Sequence, residues 1–226
     1  MLDKYVIVTG ASSGVGEATA KLLSLKYNVV AVSRNIEKMN SIFFGYKNIH
    51  PYKMDVADLS LHQGFYDYIK DKQIVALINN AGGSSGSNLV ENDLPESWQY
   101  AYNLNVVAPM SFSKMVIPIM KKNGYGDIII ITSICGYYPY KNGGNYASAK
   151  RGATSLAETL RMEMSGSGIK ISQIAPGSID TNKLVKNNIA IQAEDVAEAI
   201  RWIIELPPTV NVDSMTIMHP ENQRYG

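Results

Sequence analysis

Tyr5-Val6-Ile7-Val8-Thr9-Gly10-Ala11-Ser12-Ser13-Gly14-Val15-Gly16 carries three structural instructions in succession. Tyr5–Val8 is an apolar, β-branched run that reads as a buried strand. Thr9–Gly16 is a tight turn with glycines at 10, 14 and 16, and an amphipathic stretch continues from it to Lys26. A dinucleotide pyrophosphate asks for this order. It needs backbone at close range, outward-pointing N–H groups and the positive end of a helix dipole. Three glycines alone would serve packing equally well; their place between a first strand and a first helix carries the reading.

The same alternation continues outward from this stretch. Strand-like runs recur at Val29–Ser33, Ile49–Met54, Ile74–Ile78, Asp127–Thr132, Ile169–Ile174 and Ser214–Met218. Ile128-Ile129-Ile130-Ile131 is apolar on both faces, as a parallel strand between two helix layers must be. Helical patterns occupy Gly14–Lys26, Leu59–Lys72, Ser97–Lys122, Asn145–Ser165 and Ala193–Leu206. Crossovers of this length predict a doubly wound α/β fold. Pro109 and Pro118 lie inside the longest helical stretch and are expected to bend or interrupt it. Gly82-Gly83-Ser84-Ser85-Gly86-Ser87 follows the fourth strand and reads as a loop over a cleft. No linker or repeat divides the chain, so residues 1–226 are expected to form one domain.

Bulk properties exclude several classes of function. The formal net charge is +1, with 46% hydrophobic and 18% charged residues, so neither a nucleic acid nor a membrane surface is an expected partner. The basic pair Lys121-Lys122 reads as a solvated helix end. A single cysteine, Cys135, rules out an intramolecular disulfide. With no apolar leader or spanning run in the sequence, a cytoplasmic protein is expected. His50, His62 and His219 are far apart and lack metal-ligand spacing, so no metal site is expected.

The second strand should end beside the adenosine ribose. An acidic residue there would favour the free 2′-hydroxyl of NAD, but the sequence reads Val32-Ser33-Arg34-Asn35. Ser33 and the Arg34 guanidinium suit a 2′-phosphate, which predicts NADP(H) as the preferred cofactor with NAD(H) possible. Asp55, past the third strand, is positioned to accept a hydrogen bond from the adenine amino group. Asp58 reads as a helix N-cap. Asn79-Asn80-Ala81-Gly82 sets amides and small residues along the same path, with turn-making a competing role for the asparagines.

Tyr146 and Lys150 are four residues apart at the start of a helical stretch and share one face. A phenol titrates near ~10, and an adjacent ammonium would lower that value. With fourteen tyrosines in the chain, such a pair alone means little. Ser133, however, sits at the carboxyl end of the fifth strand, where its hydroxyl could hold a substrate oxygen while Tyr146 moves a proton. Asn105 is a poor helix former in mid-helix and calls for a special reason.

Taken together, these residues resemble a short-chain dehydrogenase/reductase of the compact single-domain kind, over nearly the whole chain. Thr9–Gly16 is similar to that family's glycine turn, Asn79–Gly82 to its Asn-Asn-Ala-Gly segment, and Asn105, Ser133, Tyr146 and Lys150 to its catalytic tetrad. The resemblance implies a parallel, seven-stranded Rossmann-type sheet with helices on both faces. It implies a cofactor path over Gly10, Ser12, Ser13, Gly14, Val15 and Gly16, then Ser33, Arg34, Asp55 and Val56. That path continues along Asn80, Ala81 and Gly82 to Tyr146 and Lys150, with Pro176, Gly177, Ile179 and Thr181 at the nicotinamide end. Tyr146 would then be the acid in reduction and the base in oxidation. Lys150 would lower its pKa and bind the nicotinamide ribose, Ser133 would polarise the carbonyl, and Asn105 would hold a water leading to solvent.

The implied reaction interconverts a small carbonyl compound and a secondary alcohol. An idle cofactor-binding sensor on the same fold is the alternative, and the complete tetrad argues against it. Epimerase or dehydratase relatives carry a larger C-terminal region than this chain has. Cys135 reads as a small buried thiol in a loop and Glu91 and Asp93 as a solvated loop pair. Of the rings in Tyr137-Tyr138-Pro139-Tyr140 at least one could line the substrate pocket, with core packing or a subunit contact explaining the others equally well. The substrate loop, about residues 178–192, is short, and Asn182–Ile191 is a candidate flap. A homodimer or homotetramer is expected through Ser97–Lys122 and Asn145–Ser165, where Ala147, Ala153 and Ala157 would permit close helix approach, although packing within the chain uses small residues too.

Overall fold

The computed structural model describes residues 3–84, 86–180 and 189–221. All seven expected strands are present, with ends displaced by one or two residues: β1 Lys4–Thr9, β2 Asn28–Ser33, β3 Ile49–Lys53, β4 Gln73–Asn79, β5 Gly126–Ile131, β6 Ile169–Pro176 and, last in the chain, β9 Ser214–Ile217. They form one parallel sheet in the order β3-β2-β1-β4-β5-β6-β9. A two-residue parallel pair that the sequence pattern did not predict, β7 Ile179–Asp180 with β8 Ile191–Gln192, ties together the two ends of the substrate loop. Most of the candidate flap, and Thr181 with it, lies outside the described residues.

Side chains alternate between two cores, one on each face of the sheet. Ile7, Ile128 and Ile130 join Phe65, Phe112 and Val116 on one face. Val6, Val8, Ile129 and Ile131 join Val15, Leu23 and Ile200 on the other. The helices that supply these layers are α1 Gly14–Leu23, α2 Ile36–Ile42, α3 His62–Ile69, α4 Pro95–Tyr102, α5 Ala108–Asn123, α6 Gly144–Glu163 and α7 Ala193–Glu205. Because every inner strand is covered twice, period-2 polarity is absent and continuous apolar runs take its place.

Three expectations about helices need correction. α2 was not predicted; its seven residues bury only Met39, and Asn35 caps it by accepting a hydrogen bond from Lys38 N. Leu59–Lys72 opens with a 3₁₀ turn at Leu59–Leu61, capped as expected by Asp58. Ser97–Lys122 is not one continuous α-helix, since a π turn at Asn103–Val107 separates α4 from α5. Pro109 stands in the first turn of α5, where its missing N–H costs little, and Pro118 is accommodated within α5 without ending it. Lys121 and Lys122 occupy the last turn, closed by Gly124 at φ +80°.

The strand order runs outward in opposite directions from β1 and β4, which pair with each other at the centre of the sheet. A cleft opens at their carboxyl ends, as strand order requires at such a switch point. No helix among the described residues is long and apolar enough to cross a membrane.

Candidate active site

A cleft of about 400 Å³ runs along the carboxyl edge of the sheet. At one end is the glycine turn between β1 and α1. Gly10 and Gly14 have φ of +67° and +53°, conformations that a side chain would strain. A Cβ on Gly10 would also lie 2.9 Å from the Ala81 Cα. Ser13, the N-cap of α1, makes no side-chain cap, so the first-turn N–H groups are left to an anion at the positive end of the helix. These features fit a dinucleotide pyrophosphate.

Gly16 does not line the cleft, contrary to its expected place on the cofactor path. Its Cβ would lie 2.3 Å from the Gly10 carbonyl oxygen, so its lack of a side chain lets α1 pack on the turn. Asn80 lines the cleft, but its amide is committed to structure: Nδ2 donates to Thr9 O at 2.9 Å. Thr9 Oγ1 in turn accepts from Asn80 N and Ala81 N at 3.0 and 2.9 Å. Thr9 is thus a brace between β1 and β4 that sequence reading overlooked.

Ser33, Arg34, Asp55 and Val56 line the other arm of the cleft. Ser33 Oγ donates to Ser12 Oγ at 2.8 Å, joining the end of β2 to the glycine turn. Arg34 is exposed, and its Nη1 lies 4.0 Å from Asp55 Oδ2. Met54 and Leu104 add apolar walls that carried no motif, although Met54 sits just past a strand end where such a wall is needed.

Ser133, Tyr146 and Lys150 meet at the far end, with Pro176, Gly177 and Ile179 opposite. Ser133 caps the 3₁₀ turn Ile134–Gly136 by accepting from Cys135 N at 3.2 Å, which fixes its hydroxyl beside Tyr146. Lys150 is buried and donates from Nζ to Ile131 O at 2.8 Å. Asn105 stands behind the cleft wall rather than on it: its Oδ1 accepts from Gly83 N at 3.2 Å and its Nδ2 donates to Gly83 O at 2.7 Å. A Cβ on Gly82 would be 2.8 Å from both Asn105 Oδ1 and Lys150 Nζ, so a side chain there would have to displace the ends of both.

The acidities differ from expectation. Burial pushes the Tyr146 phenol up to about 12, with the Ser133 hydrogen bond opposing the rise. Burial brings Lys150 down to about 8. Loss of water around each charged form explains both shifts. Asp93 is also more than a solvated loop acid, since its Oδ1 accepts from Ser97 Oγ at 2.6 Å at the start of α4. Ala147, Ala153 and Ala157 are buried within the chain, the intrachain packing that their small size also allowed.

Residues 4–191 match the family model for short chain dehydrogenase. An uncharacterized oxidoreductase of Staphylococcus epidermidis is 29% identical over 225 residues, covering 95% of this chain and 96% of that protein. The NADP-dependent 3-hydroxy acid dehydrogenase YdfG of Escherichia coli is 27% identical over 241 residues, covering 98% and 96%. Among solved structures, the closed form of a serine dehydrogenase complexed with NADP+ superposes with a TM-score of 0.91 at 25% identity, covering 98% of this chain and 97% of that one. ElxO with NADP bound gives 0.87 at 26% identity, covering 96% and 97%.

Proposed function

This chain belongs to the short-chain dehydrogenase family, and from that premise we propose that it is an NADP(H)-dependent oxidoreductase interconverting a small carbonyl compound and a secondary alcohol. The observation that carries this reading is the meeting of Ser133, Tyr146 and Lys150 at the end of a cleft whose other end is a glycine turn. The names of its relatives support NADP as the cofactor and make 3-hydroxy acids the first substrates to test.

Gly10 to Val15 would hold the pyrophosphate, Ser33 and Arg34 the 2′-phosphate, and Asp55 and Val56 the adenine. When bound, the nicotinamide supplies or accepts the hydride. Every proton step falls to the chain. In reduction, Tyr146 Oη gives its proton to the substrate oxygen as negative charge grows there; in oxidation it takes that proton back. Ser133 donates a hydrogen bond to the same oxygen. Lys150 holds a positive charge near the phenol, and Asn105 fixes the Gly82–Gly83 backbone that shapes the wall. A phenol is protonated at neutral pH and burial raises its pKa further, so Tyr146 rests in the form that reduction consumes.

Replacing Tyr146 by Phe removes only the hydroxyl. Turnover of 3-hydroxy acids and their keto counterparts should fall by about 10²–10⁴-fold, the usual contribution of a positioned acid–base group. Binding of NADPH, followed by its fluorescence, should change by less than about twofold. Near-normal turnover in this variant would sink the assignment. The same reading includes assembly as a homodimer or homotetramer, which light scattering on the purified protein would decide.

A further inference from the structure

We propose that Tyr100 is a positioning residue for the cofactor's 2′-phosphate: its phenol holds Arg34 ready for a phosphate monoester and away from Asp55. This rests on the NADP(H) reading above and adds a residue outside every motif identified in the sequence. Tyr100 lies on α4, one turn before Leu104, and Leu104 lines the cleft. Tyr100 does not itself line the cleft; its contact with Arg34, which lines the adenosine arm, places it at that end. Its Oη accepts a hydrogen bond from Arg34 Nη1 at 3.3 Å, joining two residues 66 positions apart.

Arg34 has a choice of partners. Asp55 Oδ1 accepts from Ala57 N at 3.0 Å, which leaves Oδ2 turned to the guanidinium at 4.0 Å, the outer edge of an ion pair. A guanidinium drawn fully onto that carboxylate would lose the charge that attracts a phosphate dianion. A neutral phenol takes one N–H and leaves the charge intact. It also restrains a long, exposed side chain before the ligand arrives, which lowers the ordering cost of binding. A hydroxyl that accepts still has its own proton to donate, so Arg34 and Tyr100 together offer a phosphate both kinds of donor.

The test is calorimetric titration with adenosine 2′,5′-bisphosphate and with 5′-AMP, on the parent protein, Tyr100→Phe, Arg34→Ala and the double variant. Tyr100→Phe should weaken the bisphosphate about three- to tenfold, the range of one hydrogen bond, and 5′-AMP by less than about twofold. In the Arg34→Ala background the same change should add less than about twofold, because the residue being positioned is gone. In turnover, the loss should fall on KM for NADPH rather than on kcat, and KM for NADH should not follow it. Equal weakening of both nucleotides by Tyr100→Phe, or a full effect in the double variant, overturns the proposal. Selective loss in Arg34→Ala with none in Tyr100→Phe overturns it while leaving the NADP(H) reading intact. An Arg34→Ala protein that still prefers the bisphosphate as the parent does overturns both.

Discussion

Burial moves Lys150 down to about 8 and Tyr146 up to about 12, so the two groups titrate far apart. At pH 7 the ammonium is mostly charged and the phenol neutral. The Lys150 ammonium spends its hydrogen bond on Ile131 O and lies 5.7 Å from the centre of the Tyr146 ring. As pH rises through about 8, Lys150 is the group that loses its proton, and Tyr146 keeps its own. Reductive kcat/KM should therefore fall with an apparent pKa near 8 rather than near 12. In Lys150→Arg the guanidinium stays charged, and the limb should be missing up to about pH 10 whatever the absolute rate. A limb that persists near 8 in the arginine variant would assign it to another group. The i, i+4 spacing of the pair was legible in the sequence, because helical geometry alone sets it. The direction of the Tyr146 shift was not, because it depends on burial that only the folded cleft creates.

At the scale of elements, the strands were legible because their apolar runs exceed any turn signal, as in Ile128–Ile131. α2 was not, since seven residues with one buried side chain leave no period to detect. The π turn at Asn103–Val107 was hidden for another reason: a shift from i→i−4 to wider bonding has no residue signature, and Pro109 invited the wrong explanation. Asn105 was the one visible hint. Its side chain now has three partners, the N–H and C=O of Gly83 and the carbonyl of Ala101, which accepts from Nδ2 at 2.8 Å. Asn105→Ala would strand polar groups in a buried wall and should cost about 1–3 kcal/mol in urea unfolding of the cofactor-free protein. Asn105→Asp keeps an acceptor for Gly83 N but turns lone pairs toward two carbonyls, so it should cost no less. An aspartate variant as stable as the parent would show that the two carbonyls do not need the amide. The Thr9–Asn80 brace and the Arg34–Tyr100 contact were illegible for a common reason: each joins distant segments that only the strand order brings together.

Across the whole molecule the two edges of the sheet have opposite characters. The carboxyl edge is open, glycine-rich and lined by the proposed chemistry. Toward the opposite edge, Asp127 on β5 stands in register with Lys170 on β6, and their side chains are each only 12% exposed. The ammonium lies 3.2 Å from Asp127 Oδ1 and also donates to Leu206 O at 3.2 Å, so the pair recovers only part of the cost of desolvating the carboxylate. Burial accordingly pushes Asp127 up to about 6, against the opposing pull of Lys170. A folded pKa above the unfolded value near ~3.9 means that the folded state binds this proton more tightly. The stabilisation from that proton is fully present below about pH 4 and is lost as pH rises to about 6. Its ceiling is about 3 kcal/mol, at about 1.4 kcal/mol per pKa unit. Asp127→Asn cannot titrate and leaves Lys170 charged throughout, so it isolates the effect from the other carboxylates. Urea unfolding at pH 4.5, 5.5 and 7 should show the asparagine variant gaining on the parent as pH rises, by about 2 kcal/mol across that range. Parallel curves would mean that Lys170 already pays the full desolvation cost and that Asp127 is charged throughout this range.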